Sequence, residues 1–192
     1  MKLILASNSP RRKELLSEIT KDFSVAASTV DETNIRETRP EKFALLASEL
    51  KSKDVGDKNP EAIVIGADTI VVIDGRILGK PNDINEAKKI LSDLSGRSHE
   101  VMTGITLYNG ASGKMIASLK TTRVKFKKLS LMDIDDYLQK VDVLDKAGAY
   151  AIQEYGEVLV ENIVGDRDNV IGLPTGMLRR MIDEFTRILR SE

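Results

Sequence analysis

The apolar positions of this chain fall into blocks that switch between helical and extended spacing. Leu3, Ile4, Leu5 and Ala6 form a short apolar run that passes directly into the polar stretch Ser7-Asn8-Ser9-Pro10-Arg11-Arg12. From Pro10 onward Leu15, Leu16 and Ile19 share one helical face, with Ser9 at the N-cap and Pro10 as the first helical residue. Phe23, Val25 and Ala27 alternate with polar neighbours and predict a short strand leading into the turn-rich STVDETN. Over residues 40–53 the spacing of Phe43, Leu46, Ala47 and Leu50 predicts a helix.

AIVIGADTIVVIDGRIL carries the strongest strand signal: two β-branched runs, interrupted by Gly66-Ala67-Asp68-Thr69 and followed by the hairpin dipeptide Asp74-Gly75. Residues 84–94 are helical again. Residues 101–107 and 116–126 read as strands joined by the turn signals Asn109-Gly110 and Ser112-Gly113. A helix-cap serine opens residues 130–139, the apolar run 158–164 follows, and Pro174 precedes an amphipathic helix carrying Met177, Leu178, Met181, Phe185 and Leu189. There is no repeat, low-complexity tract or linker. Helices and strands in irregular order predict α/β or α+β, with an elongated mixed sheet and helices packed on it.

The 192 residues suffice for one sizeable domain, or two small lobes that share a core. With 29 basic and 30 acidic side chains, no global field recruits nucleic acid or an anionic membrane, so any anion site is local. Cysteine is absent, which excludes thiol nucleophiles, disulfides and Cys-type zinc sites, and the single histidine, His99, excludes a two-histidine metal site. The apolar start is too short for a signal peptide, and no run approaches the roughly 18–20 residues that span a bilayer. A cytoplasmic protein is expected.

Five constellations could carry chemistry. ASNSPRR combines a helix N-terminus, the hydroxyls of Ser7 and Ser9, and the charges of Arg11 and Arg12, a set that suits phosphate; the alternative is an ordinary serine cap beside solvated arginines. Asp68 lies inside an apolar double strand, where a carboxylate is costly unless paired or bound to a metal. It reads as a general base or a Mg²⁺ or Mn²⁺ ligand, or else as a turn aspartate. Asp31 and Glu32 could add a second carboxylate to the same cation, or be plain solvated surface. Lys51, Lys80 and Lys146 could neutralise a polyphosphate, or be solvated. Gln153, after the glycine turn of DKAGAYAIQ, can offer donor and acceptor to a base edge, or close a packed loop. His99 is either a catalytic base or a hydrogen-bonded structural residue.

Taken in order, ASNSPRRKELL, Asp31-Glu32, Lys51, GADTIVV, LGKP, LSGRSHEVMTG, DKAGAYAIQ and NVIGLP resemble the Maf family of nucleoside triphosphate pyrophosphatases from residue 3 to 174. The resemblance implies a single Maf-like domain over residues 1–192, similar to inosine triphosphate pyrophosphatases, with two lobes sharing a central sheet and a cleft between them. It implies that Asp68 accepts a proton from the attacking water and that Glu32 and Asp68 hold a divalent cation, Mg or Mn. Ser7, Arg11, Arg12, Lys51 and Lys80 match its phosphate-facing set, and Arg11, Thr69 and Gln153 fall where base specificity is set. The DKAGAYAIQ form is similar to the branch acting on dTTP and UTP in nucleotide-pool house-cleaning, possible modified pyrimidine nucleotides included. A homodimer is also implied, while the charge balance and short apolar runs give the expectation of no nucleic-acid or membrane partner.

Two departures stand out. Ala47-Ser48-Glu49-Leu50-Lys51-Ser52 replaces a Leu-Ala pair followed by Lys-Ala, and Glu154-Tyr155-Gly156 follows Gln153 where glycine is common. Two alternatives remain at this stage: a pyrophosphatase for 7-methyl-GTP or another modified nucleotide, and a non-catalytic nucleotide- or nucleic-acid-binding regulatory module. The second would call for a basic stripe with interleaved aromatics, whereas the chain has four Phe, four Tyr and net charge −1.

Overall fold

The computed structural model describes residues 2–191. In chain order its elements are β1 (Leu3–Leu5), α1 (Pro10–Ile19), β2 (Ser24–Val25), α2 (Pro40–Gly56), β3 (Ile63–Ile73), β4 (Arg76–Leu78), α3 (Ile84–Leu94), β5 (Ser98–Tyr108), β6 (Met115–Phe126), α4 (Leu131–Lys140), α5 (Gly156–Leu159), β7 (Val160–Val164), α6 (Arg167–Ile171) and α7 (Thr175–Arg190). The strands build one seven-stranded sheet in the order β2-β1-β3-β5-β6-β7, with β4 added to β3. Strand β1 runs parallel to both β2 and β3, whereas β4 is antiparallel to β3 and β7 to β6. The expected mixed sheet with flanking helices is therefore present.

The chain divides into two compact units. One comprises the chain up to Asp68, Thr103–Lys120 and the chain from Gly172; the other comprises Thr69–Met102 and Thr121–Ile171.

In the first unit, α1 starts where the sequence predicts: Ser9 Oγ accepts from the Arg12 N–H and Pro10 opens the helix. It packs against α7, which buries Met177, Leu178, Met181 and Phe185. Strand β2 is shorter than the alternation suggests, and Val25 is exposed.

Helix α2 exists as expected but buries a different face. Ala44, Ala47, Ser48, Lys51, Ser52, Val55 and Gly56 point inward while Leu46 is exposed. The reason is close backbone approach: a Cβ on Gly66 would lie 2.0 Å from the Ser48 carbonyl, and one on Gly104 2.4 Å from the Ala44 carbonyl. Glycine on the sheet and small residues on the helix allow this contact, which Phe43 or Leu50 would prevent. The two buried serines are satisfied, Ser48 Oγ by Leu45 O at 2.7 Å and Thr106 Oγ1 at 2.8 Å, and Ser52 Oγ by Glu49 O at 2.8 Å.

The same contact corrects the expected interruption of the GADT segment. Strand β3 runs through Gly66-Ala67-Asp68-Thr69 without a break, and Gly66 serves a helix contact instead of a turn. The hairpin signal at Asp74-Gly75 holds: both residues have positive φ, 50° and 74°, and β4 returns on β3 with Ile73 opposite Arg76.

In the second unit the core gathers Val71, Ile73, Leu91, Leu94, Val101, Phe126, Ile134, Tyr137 and Tyr150. Helix α3 is capped by Asp83, whose Oδ1 accepts from Glu86 N at 2.8 Å. Helix α4 begins with a reciprocal Ser130–Asp133 capping box. The apolar run 158–164 divides between α5 and β7.

Candidate active site

Parallel pairing of β1 with β3, Leu5 opposite Ile65, sends both strands out at the same end of the sheet. The loop after β1 carries Ser7, Arg11 and Arg12; three residues beyond Ile65, β3 reaches Asp68. Ligands in open α/β sheets bind outside the carboxyl ends of parallel strands, and this unit places its charged side chains there.

Ser7 Oγ accepts from the Ser9 N–H at 3.2 Å and from Arg12 Nη1 at 3.3 Å. Arg12 Nε donates to the Gly172 carbonyl at 3.0 Å. The guanidinium is thus held from two sides. Burial lowers its pKa from the ordinary arginine value, with Arg11 acting in the same sense, while Asp68 and Glu32 counter by favouring the cation. An arginine keeps its charge under such a shift. Arg11 is half-buried. Sequence reasoning did not single out Gly172 as the anchor of Arg12, although it lies in the motif NVIGLP.

Lys51 is the centre of the arrangement. It is 8% exposed, on the inward face of α2, and its Nζ donates to Asp68 Oδ1 at 2.6 Å and pairs with Glu32 Oε1. Asp68 is 6% exposed. Charges removed from water to this degree persist when paired. Asp68 is accordingly a paired carboxylate inside a strand, and the turn-aspartate reading falls.

Asp31 and Glu32 separate into different roles. Asp31 caps a short 3-10 turn, Glu32–Asn34: its Oδ1 accepts from Thr33 N at 3.0 Å and Thr33 Oγ1 at 2.7 Å, and its Oδ2 from Asn34 Nδ2 at 3.2 Å. The Thr33 hydroxyl, followed by these other bonds, lowers the Asp31 pKa. Glu32 turns instead to Lys51.

One ammonium touching both Glu32 and Asp68 places their oxygens within reach of a single cation. Mg²⁺ sites combine one or two protein carboxylates with substrate phosphates and water. The donor set that fits is this pair of carboxylates sharing one partner; among the described residues no group of three or more acidic or histidine side chains gathers to hold a metal.

The remaining candidates belong to the second unit. Thr69 is half-buried on β3, directly after Asp68, while Lys80 and Gln153 are exposed. Gly148, at φ 71°, donates its N–H to the Gly79 carbonyl at 3.0 Å, tying DKAGAYAIQ to LGKP. A Cβ at Gly148 would lie 2.8 Å from Val71 Cγ2, so both its turn and its packing need glycine. Lys146 is buried and donates to the Asp142 carbonyl and to Asp145 Oδ1 at 2.9 Å. It braces its own loop, and the solvated-lysine reading does not hold for it.

His99 is 2% exposed and its Nε2 lies 2.8 Å from the Tyr150 hydroxyl. Burial drops its pKa to about 4. It is the hydrogen-bonded structural residue of the two readings.

The chain matches the family described as Maf-like protein over residues 2–185. It belongs to the Maf family. Similar proteins named dTTP/UTP pyrophosphatase include one from Clostridioides difficile, 44% identical over 98% of this chain and 97% of that protein. Others are from Pyrococcus furiosus, 44% identical over 95% and 94%, and Thermoanaerobacter sp., 47% identical over 93% of each. The fold is also that of the Staphylococcus aureus Ham1 protein, at TM-score 0.55 and 17% identity over 96% of this chain and 99% of that one. No helix among the described residues of this Maf-family chain is long and apolar enough to cross a membrane.

Proposed function

We propose that this Maf-family chain hydrolyses dTTP and UTP between the α- and β-phosphates, giving the nucleoside monophosphate and pyrophosphate. The observation that carries the reading is the Glu32–Lys51–Asp68 cluster, with Lys51 and Asp68 buried and Arg12 beside it. Near-complete coverage of relatives named for that activity supports the substrate class.

Asp68 accepts the proton of the attacking water; Lys51 engages Oδ1, so the proton goes to Oδ2. Glu32 and Asp68 would hold a divalent cation, Mg²⁺ or Mn²⁺, whose chemistry when bound is to polarise a phosphate oxygen and spread its charge. Arg12, fixed by Ser7 and Gly172, presents a preset positive charge to the polyphosphate. Lys51 is held to offer charge to the departing pyrophosphate. Thr69, Gln153 and Arg11 as readers of the pyrimidine, Lys80 as a phosphate ligand and homodimerisation are supported by the motif resemblance, and a cytoplasmic location is part of the same proposal. The deciding assay incubates the protein with dTTP and Mg²⁺. Release of dTMP and pyrophosphate is expected; orthophosphate with a diphosphate product overturns the reading.

A further inference from the structure

The segment that delivers Glu32 is fastened to α2 at a second point. Asp54 lies three residues after Lys51, on the same side of the helix, and 17% of its side chain is exposed. Its Oδ2 accepts from the Thr29 N–H at 2.6 Å, from Ser28 Oγ at 2.9 Å and from Thr29 Oγ1 at 3.2 Å, while its Oδ1 accepts from Lys58 Nζ at 2.6 Å. Lys58 first, then the Thr29 N–H and the two hydroxyls, hold this carboxyl well below the usual carboxylate range.

The bonding continues along the chain toward the acidic pair. Ser28 Oγ accepts the Val30 N–H at 3.1 Å, and Asp31 caps the turn that starts at Glu32. Residues 28–32 are therefore pinned at one end by Asp54 and at the other by Lys51, two side chains about one turn apart on a single helix. A surface ion pair with Lys58 would need one oxygen. The other accepts a backbone N–H and two hydroxyls, which is the bonding of a loop anchor.

We infer that Asp54 is a positioning residue for the metal-holding carboxylates, a strap that sets where Glu32 stands relative to Asp68; this rests on the reading of Glu32 and Asp68 as the pair that holds the divalent cation. Outer-shell partners of this kind change metal affinity by about 10–100-fold when removed.

The test titrates Mn²⁺ alone into the full chain, without nucleotide, and reads free Mn²⁺ by electron paramagnetic resonance. Asp54→Ala is expected to raise the Mn²⁺ dissociation constant by about 10–100-fold and to speed amide exchange across residues 28–34. Asp54→Asn, which keeps an acceptor for the Thr29 N–H, should recover part of that loss, and Lys58→Ala should leave affinity unchanged. Wild-type Mn²⁺ affinity in Asp54→Ala, with a lowered melting temperature, overturns the strap. So does an equal loss in Lys58→Ala. If Asp54→Ala does not fold, Asp54→Asn decides, and an unchanged dissociation constant overturns the strap. Glu32→Gln distinguishes the layers: its binding Mn²⁺ like wild type defeats the metal reading and the strap with it. Loss in Glu32→Gln beside full retention in both Asp54 variants defeats the strap alone.

Discussion

The two compact units each bury a titratable side chain, and they do it by opposite means. In the first, Lys51 stays charged because Glu32 and Asp68 supply compensating charge. In the second, His99 is enclosed by rings: Phe126 at 4.9 Å and Tyr150 at 5.5 Å between centroids, both edge-on. Its Nε2 meets the Tyr150 hydroxyl, while its Nδ1 is buried with no hydrogen-bond partner among the described residues. Burial keeps the imidazole neutral and raises the Tyr150 pKa, so that pair remains neutral where the lysine cluster remains ionic. A buried charge with matched partners is ready to meet another charge. A buried neutral ring with one partner contributes packing and order.

The sharpest way to break this contrast is at Asp68. Asp68→Asn is expected to lower the rate of pyrophosphate release by about 10²–10⁴-fold, the range for loss of a general base, with the melting transition retained. His99→Phe should leave that rate near wild type. An equal loss in both would abolish the distinction.

Removing the cation tests the ionic side directly. Lys51→Met leaves two carboxylates facing one another and is expected to destabilise the fold by about 3 kcal/mol, the low end of the range for breaking a buried pair, because Glu32 is about a third exposed. The denaturant midpoint at constant m-value measures it. A stabilised variant would show that burial costs more than the pairing returns.

The neutral side has a pH signature. An unfolded histidine titrates near 6.5, and in the fold His99 titrates at about 4. The folded pKa is depressed, so the contribution is complete above about 6.5 and is lost as pH falls toward 4. Stability should decline by a few kcal/mol across that window, and His99→Phe should remove this part of the slope. An identical slope in that variant would assign it to carboxylates.

The smallest effect is the coupling between His99 and Tyr150. His99→Phe strands a buried hydroxyl, whereas the double variant His99→Phe/Tyr150→Phe removes both partners. The double-mutant cycle should return about 1 kcal/mol, as for a neutral hydrogen bond.

Legibility in the sequence followed the range of the forces involved. Helix α1 and the start of α4 were readable because Ser9-Pro10 and Ser130 act on their own first turns, and α3 because its apolar spacing is local. The buried face of α2 was not, because the largest apolar residues named a face that contact with Gly66 and Gly104 forbids. In the site, Ser7, Arg11, Arg12, Glu32, Lys51 and Asp68 could be named from motif order. The break at GADT and the solvated character of Lys146 did not survive. Each depended on contacts that spacing along the chain does not encode.

By itself the sequence determined which chemistry was possible: no thiol, one histidine, carboxylates and cations in a recognisable order, and strands and helices whose periods are local properties of a few residues. Tertiary structure decided which charges meet. Arg12 reaches a carbonyl 160 residues away, and Lys51 stands between Glu32 and Asp68 because β1 and β3 pair in parallel beneath a helix that approaches closely enough to touch glycine. Coulomb energy depends on distance in space and on exclusion of water, and both are set only when the chain has folded.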